Sequence, residues 1–305
     1  MKKIVISVIG PTAIGKTKLA IALANYYNTE IISADSRQFF KEMKIGTAVP
    51  SDDELKSAPH HFIQHKSIFE SYSGGAFERD ALKCINQLFE EKEVVILVGG
   101  SGLYVDAIVK GLDKFPEIAP EIRISLNRKL EEEGIQSLQK QLKELDPLYY
   151  EKVDTENPHR LIRALEVCIG SGKPYSSFLN KEKPKRPFEL ITVGISADRE
   201  IIYDRINQRV DIMISEGLLE EAKSVYQHRA LNALQTVGYK ELFSHFDGDY
   251  DLNFALEEIK KNTRRFAKRQ LTWFKKNKNT IWVDYQEHID IITAQIEKQK
   301  ILLNE

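Results

Sequence analysis

The chain has 305 residues, with 44 Lys and Arg against 45 Asp and Glu and a formal net charge of −1 at neutral pH. That length predicts about two domains, or one large domain with an insertion, and a hydrophobic fraction of 42% with 9% aromatics suffices for a packed core and excludes wholesale disorder. Two cysteines, Cys84 and Cys168, cannot build a disulfide framework and read as reduced thiols of a cytoplasmic protein. No run approaches the roughly 18–20 apolar residues that span a bilayer, so no membrane partner is expected. The short apolar run after Lys2 and Lys3 lacks the length and small-residue cleavage site of a secretory leader.

In chain order, residues 3–9 (KIVISVI) are continuous and β-branched, the pattern of a strand buried on both faces. Leu19, Leu23 and Tyr26-Tyr27 follow at helical spacing, and residues 30–33 (EIIS) predict a second strand ending near Asp35. Residues 77–91 predict a helix through Ala81, Leu82, Ile85 and Leu88-Phe89, and residues 94–98 (VVILV) a third buried strand stopped by Gly99-Gly100. The alternation predicts an α/β fold, a phosphate-loop (P-loop) parallel sheet flanked by helices. From 116 to 187 the character is helical: helices over 121–133 and 135–145 are separated by Gly134, and Asn157-Pro158 opens a third that stops at Gly170 or Gly172. A charged, proline-bearing stretch, 181–187, leads into an apolar run, 190–195, that returns to the sheet. The expected organisation is a catalytic core of residues 1–115 and 188–305, interrupted by an all-helical insertion domain of 116–187. Helical patterns over 202–215, 218–227 and 256–275 come next, and residues 280–284 (TIWVD) read as an edge strand.

Gly10, Pro11, Thr12, Ala13, Ile14, Gly15, Lys16 and Thr17 spell G-x-x-x-x-G-K-T, between a buried strand and an amphipathic helix. Phosphate binding needs that chemistry: glycines that let successive N–H groups converge, a helix N-terminus behind them, a lysine, and a hydroxyl for Mg²⁺. An ordinary ATPase adds a carboxylate at the end of a neighbouring apolar strand to hold the metal. Residues 94–98 end instead in Gly99-Gly100-Ser101-Gly102, which shifts weight from phosphoanhydride hydrolysis toward chemistry that only holds a diphosphate. Asp35, beside Ser36, Arg37 and Gln38, lies at the mouth of the second strand, where open α/β sheets border their ligand crevice. It reads equally as proton acceptor for a substrate amine or as a turn-forming cap. Arg205 and Arg209 share one helix face, and one of them could meet a diphosphate leaving group; the alternative is surface pairing with Asp204 or Asp211. Residues 260–278 hold nine Lys or Arg and no acid, with Phe266, Trp273 and Phe274 interleaved. That composition suits a phosphate backbone with stacked bases, against the alternative of a solvated face over a core stripe. Further cations cluster at 159–163 and 181–186.

Taken together, GPTAIGKT (10–17), ISADSRQFF with MKIGTAVP (32–50), GGSGLY (99–104), NPHRLIRALEV (157–167), RINQRVDIMISEGLLEEA (205–222), VGYKEL (237–242) and AKRQLTWF (267–274) resemble the tRNA dimethylallyltransferase, or tRNA isopentenyltransferase, family. The segments run in order across nearly the whole chain. The resemblance implies transfer of a dimethylallyl group from dimethylallyl diphosphate to N6 of adenosine 37, next to the anticodon of tRNA. It implies that the phosphate loop, Gly10 to Thr17, holds the diphosphate with Mg²⁺, which Thr17 ligates. It implies Asp35 as general base, Ser101 beside the target nucleotide and Arg209 on the diphosphate. It also implies tRNA contacts from Asp35, Ser36, Arg37, Gln38, Ser101, Arg123, His159, Arg160, Leu161, Ile162, Arg163, Lys268 and Arg269. The insertion would grip the anticodon stem-loop, and the enzyme would act as a monomer. Phe40, Val49 and Ser101 stand where the family commonly has Tyr, Lys and Thr.

Overall fold

A computed structural model describes residues 2–181 and 185–304. It divides into two compact units, Met1–Lys110 with Arg186–Glu305, and Gly111–Lys185. The divisions fall at 110/111 and 185/186, against 115/116 and 187/188 expected from the sequence. Part of the basic cluster expected over 181–186, residues 182–184, lies outside the described residues.

The larger unit contains, in order, β1 (Ile4–Ile9), α1 (Lys16–Tyr26), β2 (Ile31–Ser33), α2 (Asp52–Ser57), β3 (His60–His61), α3 (Gly74–Glu91), β4 (Val94–Val98) and α4 (Gly102–Val109). After the smaller unit's α5 (Pro120–Glu133), α6 (Ile135–Leu145), α7 (Pro147–Tyr150) and α8 (Pro158–Ser171), it resumes with β5 (Glu189–Ser196), α9 (Arg199–Ser215) and α10 (Leu218–Val225). It ends in α11 (Tyr239–Phe246), α12 (Leu252–Phe274), β6 (Thr280–Asp284) and α13 (Ile289–Asn304). The six strands form one parallel sheet in the order β3-β2-β4-β1-β5-β6.

All six residues of β1 and all five of β4 are buried. Their alternation divides them between two cores: Val5, Ile9, Val95 and Leu97 pack on one face, and Ile4, Ile6, Val8 and Ile96 on the other. A sheet covered on both faces needs such continuous apolar strands. The two-residue β3, an edge strand, is too short to leave a periodic signal, and the sequence pattern did not reveal it. In the smaller unit, Leu126, Leu138, Leu142, Leu161, Ile162 and Leu165 form a separate core. Asn157 caps α8 by accepting the Arg160 N–H, Pro158 occupies its first turn, and Gly172 closes it in the left-handed conformation (φ 67°). The two cysteines are free thiols, Cys84 half-buried and Cys168 buried. Among the described residues, no helix is long and apolar enough to cross a membrane.

Candidate active site

The carboxyl ends of β2, β4 and β1 lie side by side in the sheet, and each releases part of the site. Residues 10–17 leave β1 and enter α1, whose first residue is Lys16. The loop takes its shape from three left-handed residues, Gly10 (φ 152°), Ala13 (φ 63°) and Gly15 (φ 107°). A methyl group on Gly10 would lie 2.8 Å from the Ile195 carbonyl oxygen, so the neighbouring strand itself excludes a side chain there. The unusual backbone of Ala13 is held by Arg205, whose Nε donates to the Ala13 carbonyl at 2.8 Å.

Lys16 donates to the Pro11 carbonyl at 2.7 Å. Burial pulls its ammonium down to a pKa of about 8; Asp35 opposes this and Arg209 reinforces it. Burial likewise lowers the Arg209 guanidinium, against the pull of Asp35 and Glu54. The three charges therefore sense one another.

Asp35 uses its two carboxylate oxygens differently. Oδ1 accepts the Arg37 N–H at 3.1 Å, the turn-capping role, while Oδ2 faces Gly100 and lies 3.8 Å from the position a Cβ there would take. The Lys16 ammonium lies 3.7 Å from the same point. Both readings of Asp35 thus coexist in one side chain. Ser101, at the start of α4, accepts the Ser36 N–H at 3.2 Å, and the two hydroxyls are also 3.2 Å apart. Arg37 spends its guanidinium on the carbonyls of Asn232 and Ala233, and Gln38 donates to those of Thr47 and Ala48.

Two open clefts meet here. One, of about 430 Å³, is lined by residues 12–18, Glu54, His60 and Arg205. The other, of about 620 Å³, is lined by Leu103, Tyr104, Met213, Lys240, Phe266 and Trp273. Thr12, Asp35, Thr47, Ala48, Gly100 and Arg209 line both. A cationic, N–H-rich chamber and an apolar, aromatic one therefore share a wall that carries a carboxylate. Of the helix arginines, Arg209 faces this wall; neither Asp204 nor Asp211 neutralises it, since they bond Gln208 and Lys260.

Sequence reasoning missed Gln270. This α12 residue is 6% exposed, accepts the Thr12 N–H and donates to the Gly100 carbonyl, both at 2.8 Å. Nothing in its local pattern marks it, because its partners are about 170 and 258 residues away.

Several expectations need correction. Leu161 and Ile162, placed in the RNA-facing run by the resemblance, are 0% and 3% exposed and put their side chains into the helical unit's core. His159 and Arg160, on the same helix, are exposed. In that unit Arg123 and Arg163 share one counter-charge, Glu166, at 3.9 and 3.4 Å, and Arg163 also lies over the Phe115 ring. The basic stretch 260–278 is not uniformly available: Lys260 pairs with Asp211 of α9 and with Glu257, and Lys261 with Glu258. Phe274 is a core residue, whereas Lys268, Arg269, Phe266 and Trp273 are exposed.

A model of the family described as IPP transferase matches residues 38–277. The chain is 62% identical to a tRNA dimethylallyltransferase of Flavobacterium johnsoniae, over 98% of this chain and 99% of the relative. A relative of the same name from Christiangramia forsetii is 61% identical over 98% and 99%. Among solved structures, the full-length tRNA isopentenylpyrophosphate transferase of Bacillus halodurans has a TM-score of 0.71 at 35% identity, covering 100% of both chains. A eukaryotic dimethylallyltransferase acting on tRNA has a TM-score of 0.78 at 26% identity, over 93% of this chain and 74% of the other.

Proposed function

The chain belongs to the IPP transferase family, and from that premise we propose how its own residues move a dimethylallyl group from dimethylallyl diphosphate to N6 of adenosine 37 in tRNA, releasing diphosphate. The carrying observation is the pair of clefts that share Asp35, Thr12, Gly100 and Arg209. The cationic cleft suits the diphosphate, and the aromatic one suits the acceptor base with the prenyl carbon at the shared wall.

In the reaction the allylic C1–O bond breaks, its electron pair leaves with the diphosphate, and N6 of adenine bonds to C1. Negative charge grows on the departing oxygen, where Lys16, Arg209 and the loop N–H groups after Thr12, all lining the cationic cleft, stabilise it. Adenine N6 is a weak nucleophile because its lone pair enters the ring, so it needs to lose a proton as the bond forms. Asp35 Oδ2 takes that proton while Oδ1 stays on the Arg37 N–H, which holds the carboxylate in place. Ser101 and Ser36 flank the base. The target base must leave its stack at a cost of a few kcal/mol, which Phe266 and Trp273 offset by stacking and Lys268 and Arg269 by phosphate contact.

Among the described residues no group of three or more His, Cys, Asp or Glu could hold a metal by itself. The donor set at Thr17 still fits Mg²⁺, which keeps several waters and is commonly held by substrate phosphates with one or two protein ligands. Bound there, the ion would neutralise charge on the leaving diphosphate.

Arg123, Arg160 and Arg163 of the helical unit supply cations for the anticodon stem-loop, and His159 a polar contact. Action on tRNA suits a cytoplasmic enzyme, and the monomeric state expected from the sequence is part of this proposal.

The test is isotope transfer from labelled dimethylallyl diphosphate into tRNA. Asp35→Asn should lower turnover by about 10²–10⁴ while tRNA affinity is retained. A parallel loss of affinity would make Asp35 structural, and phosphate transfer from ATP without label in tRNA would refute the reading.

A further inference from the structure

We propose that Gln270 is a positioning residue for the transfer: its carboxamide ties the phosphate loop to the glycine turn after β4 and so fixes the wall that the two clefts share. The proposal rests on the donor and acceptor assignment above.

Three observations carry it. Both ends of the Gln270 amide are engaged, Oε1 accepting from the Thr12 N–H and Nε2 donating to the Gly100 carbonyl, on a side chain that is itself buried. Both partners line both clefts, so this one side chain holds the two backbone points between which donor and acceptor must meet. The turn is also cut to fit it: a Cβ on Gly100 would lie 2.5 Å from Gln270 Nε2, and a Cβ on Gly102 2.5 Å from the Trp273 ring. Trp273, one turn further along α12, completes the docking by donating to Asp106 at 3.0 Å.

The chemistry of the position selects an amide. Thr12 offers a donor and Gly100 an acceptor, so the bridging group must accept at one end and donate at the other. Among ordinary side chains of this length only glutamine does so without charge. Glutamate has two acceptors; one would face the Gly100 carbonyl, and its charge would stand beside a departing diphosphate. The strand end where phosphate-loop hydrolases place a metal-holding acid is here bridged by a neutral group reaching in from a helix late in the chain. That same helix turn exposes Lys268 and Arg269.

The test compares Gln270→Glu with Gln270→Leu in the full-length protein. It reads prenyl transfer to tRNA, tRNA affinity, and affinity for inorganic pyrophosphate across pH. At alkaline pH, Gln270→Glu should lose about ten- to a hundredfold in kcat/KM for the donor, the effect of one buried bond left unmade. As pH falls the loss should reverse, relative to wild type, because a protonated carboxyl is isosteric with the amide and both donates and accepts. Gln270→Leu should show the loss without the reversal, and neither variant should change tRNA affinity. A Gln270→Glu profile parallel to wild type, or wild-type kcat/KM in Gln270→Leu, would overturn the proposal. Should Gln270→Leu fail to fold, the two protonation states of Gln270→Glu make the comparison within one protein. If the wild type binds pyrophosphate but labels no tRNA, the transferase reading fails, and the pH dependence of pyrophosphate affinity in Gln270→Glu still decides the role of Gln270.

Discussion

Glu221→Ala should be among the most damaging substitutions outside the clefts. The Glu221 carboxylate, on α10, accepts the N–H groups of Lys44, Ile45 and Gly46 at 2.9, 2.8 and 2.8 Å and the Tyr239 hydroxyl at 2.7 Å. Tyr239 is fully buried, and its ring lies so close to Gly46 that a Cβ there would come within 2.6 Å of it. Lys44 is exposed, so water replaces the carboxylate at that N–H. The other three donors lose a charged acceptor in partly or wholly dry surroundings, and at about 1–3 kcal/mol for each group left unsatisfied the sum is about 3–9 kcal/mol. Glu221→Gln keeps one good acceptor but turns an NH₂ toward the remaining donors, and should cost roughly half as much. Residues 47–50, which follow this clasp, line the cationic cleft, so KM for the diphosphate donor should rise along with the stability loss. Urea titration of both variants with steady-state kinetics measures the two effects. A Glu221→Ala protein within about 0.5 kcal/mol of wild type would show that the clasp contributes nothing.

Two further outcomes follow from charge. Because the Lys16 ammonium is the anion-binding form and its pKa is drawn down to about 8, pyrophosphate affinity should fall as pH rises through that value, by about tenfold per unit above it. Calorimetric titration across that range checks the slope, and a flat profile would remove Lys16 from the cradle. Lys268→Ala with Arg269→Ala should weaken tRNA binding and reduce the slope of log affinity against log salt by roughly two, measured by filter binding at several ionic strengths; an unchanged slope would place the RNA elsewhere.

The parts of the site legible in the sequence were those encoded contiguously. A buried strand, a glycine-bearing loop with lysine and threonine, and a helix follow one another over residues 4–26, and Asp35 closes the next strand. Local spacing carries such information because the chain order and the spatial order coincide. Gln270 and Glu221 were invisible for the opposite reason: an amide and a carboxylate on amphipathic helices look like solvated surface until the backbone groups they meet are brought from residues 12, 100 and 44–46. The basic run erred in the same direction. Its composition was read correctly, but Lys260 and Lys261 find acids on their own helix and on α9, which a count inside the run could not include. Leu161 and Ile162 came from the family likeness alone, and their apolar side chains are taken up by the core of the helical unit.

The placement of the two thiols bears on how the protein tolerates oxidants and alkylating reagents. Burial raises the Cys84 thiol to a pKa of about 11, helped by Glu30, and it raises Cys168 as well. At pH 7 a thiol with that pKa is ionised in only about one molecule in ten thousand, and the thiolate is the reactive form. Neither sulfur lines either cleft, so iodoacetamide should leave both thiols of the folded enzyme unmarked and its prenyl transfer intact.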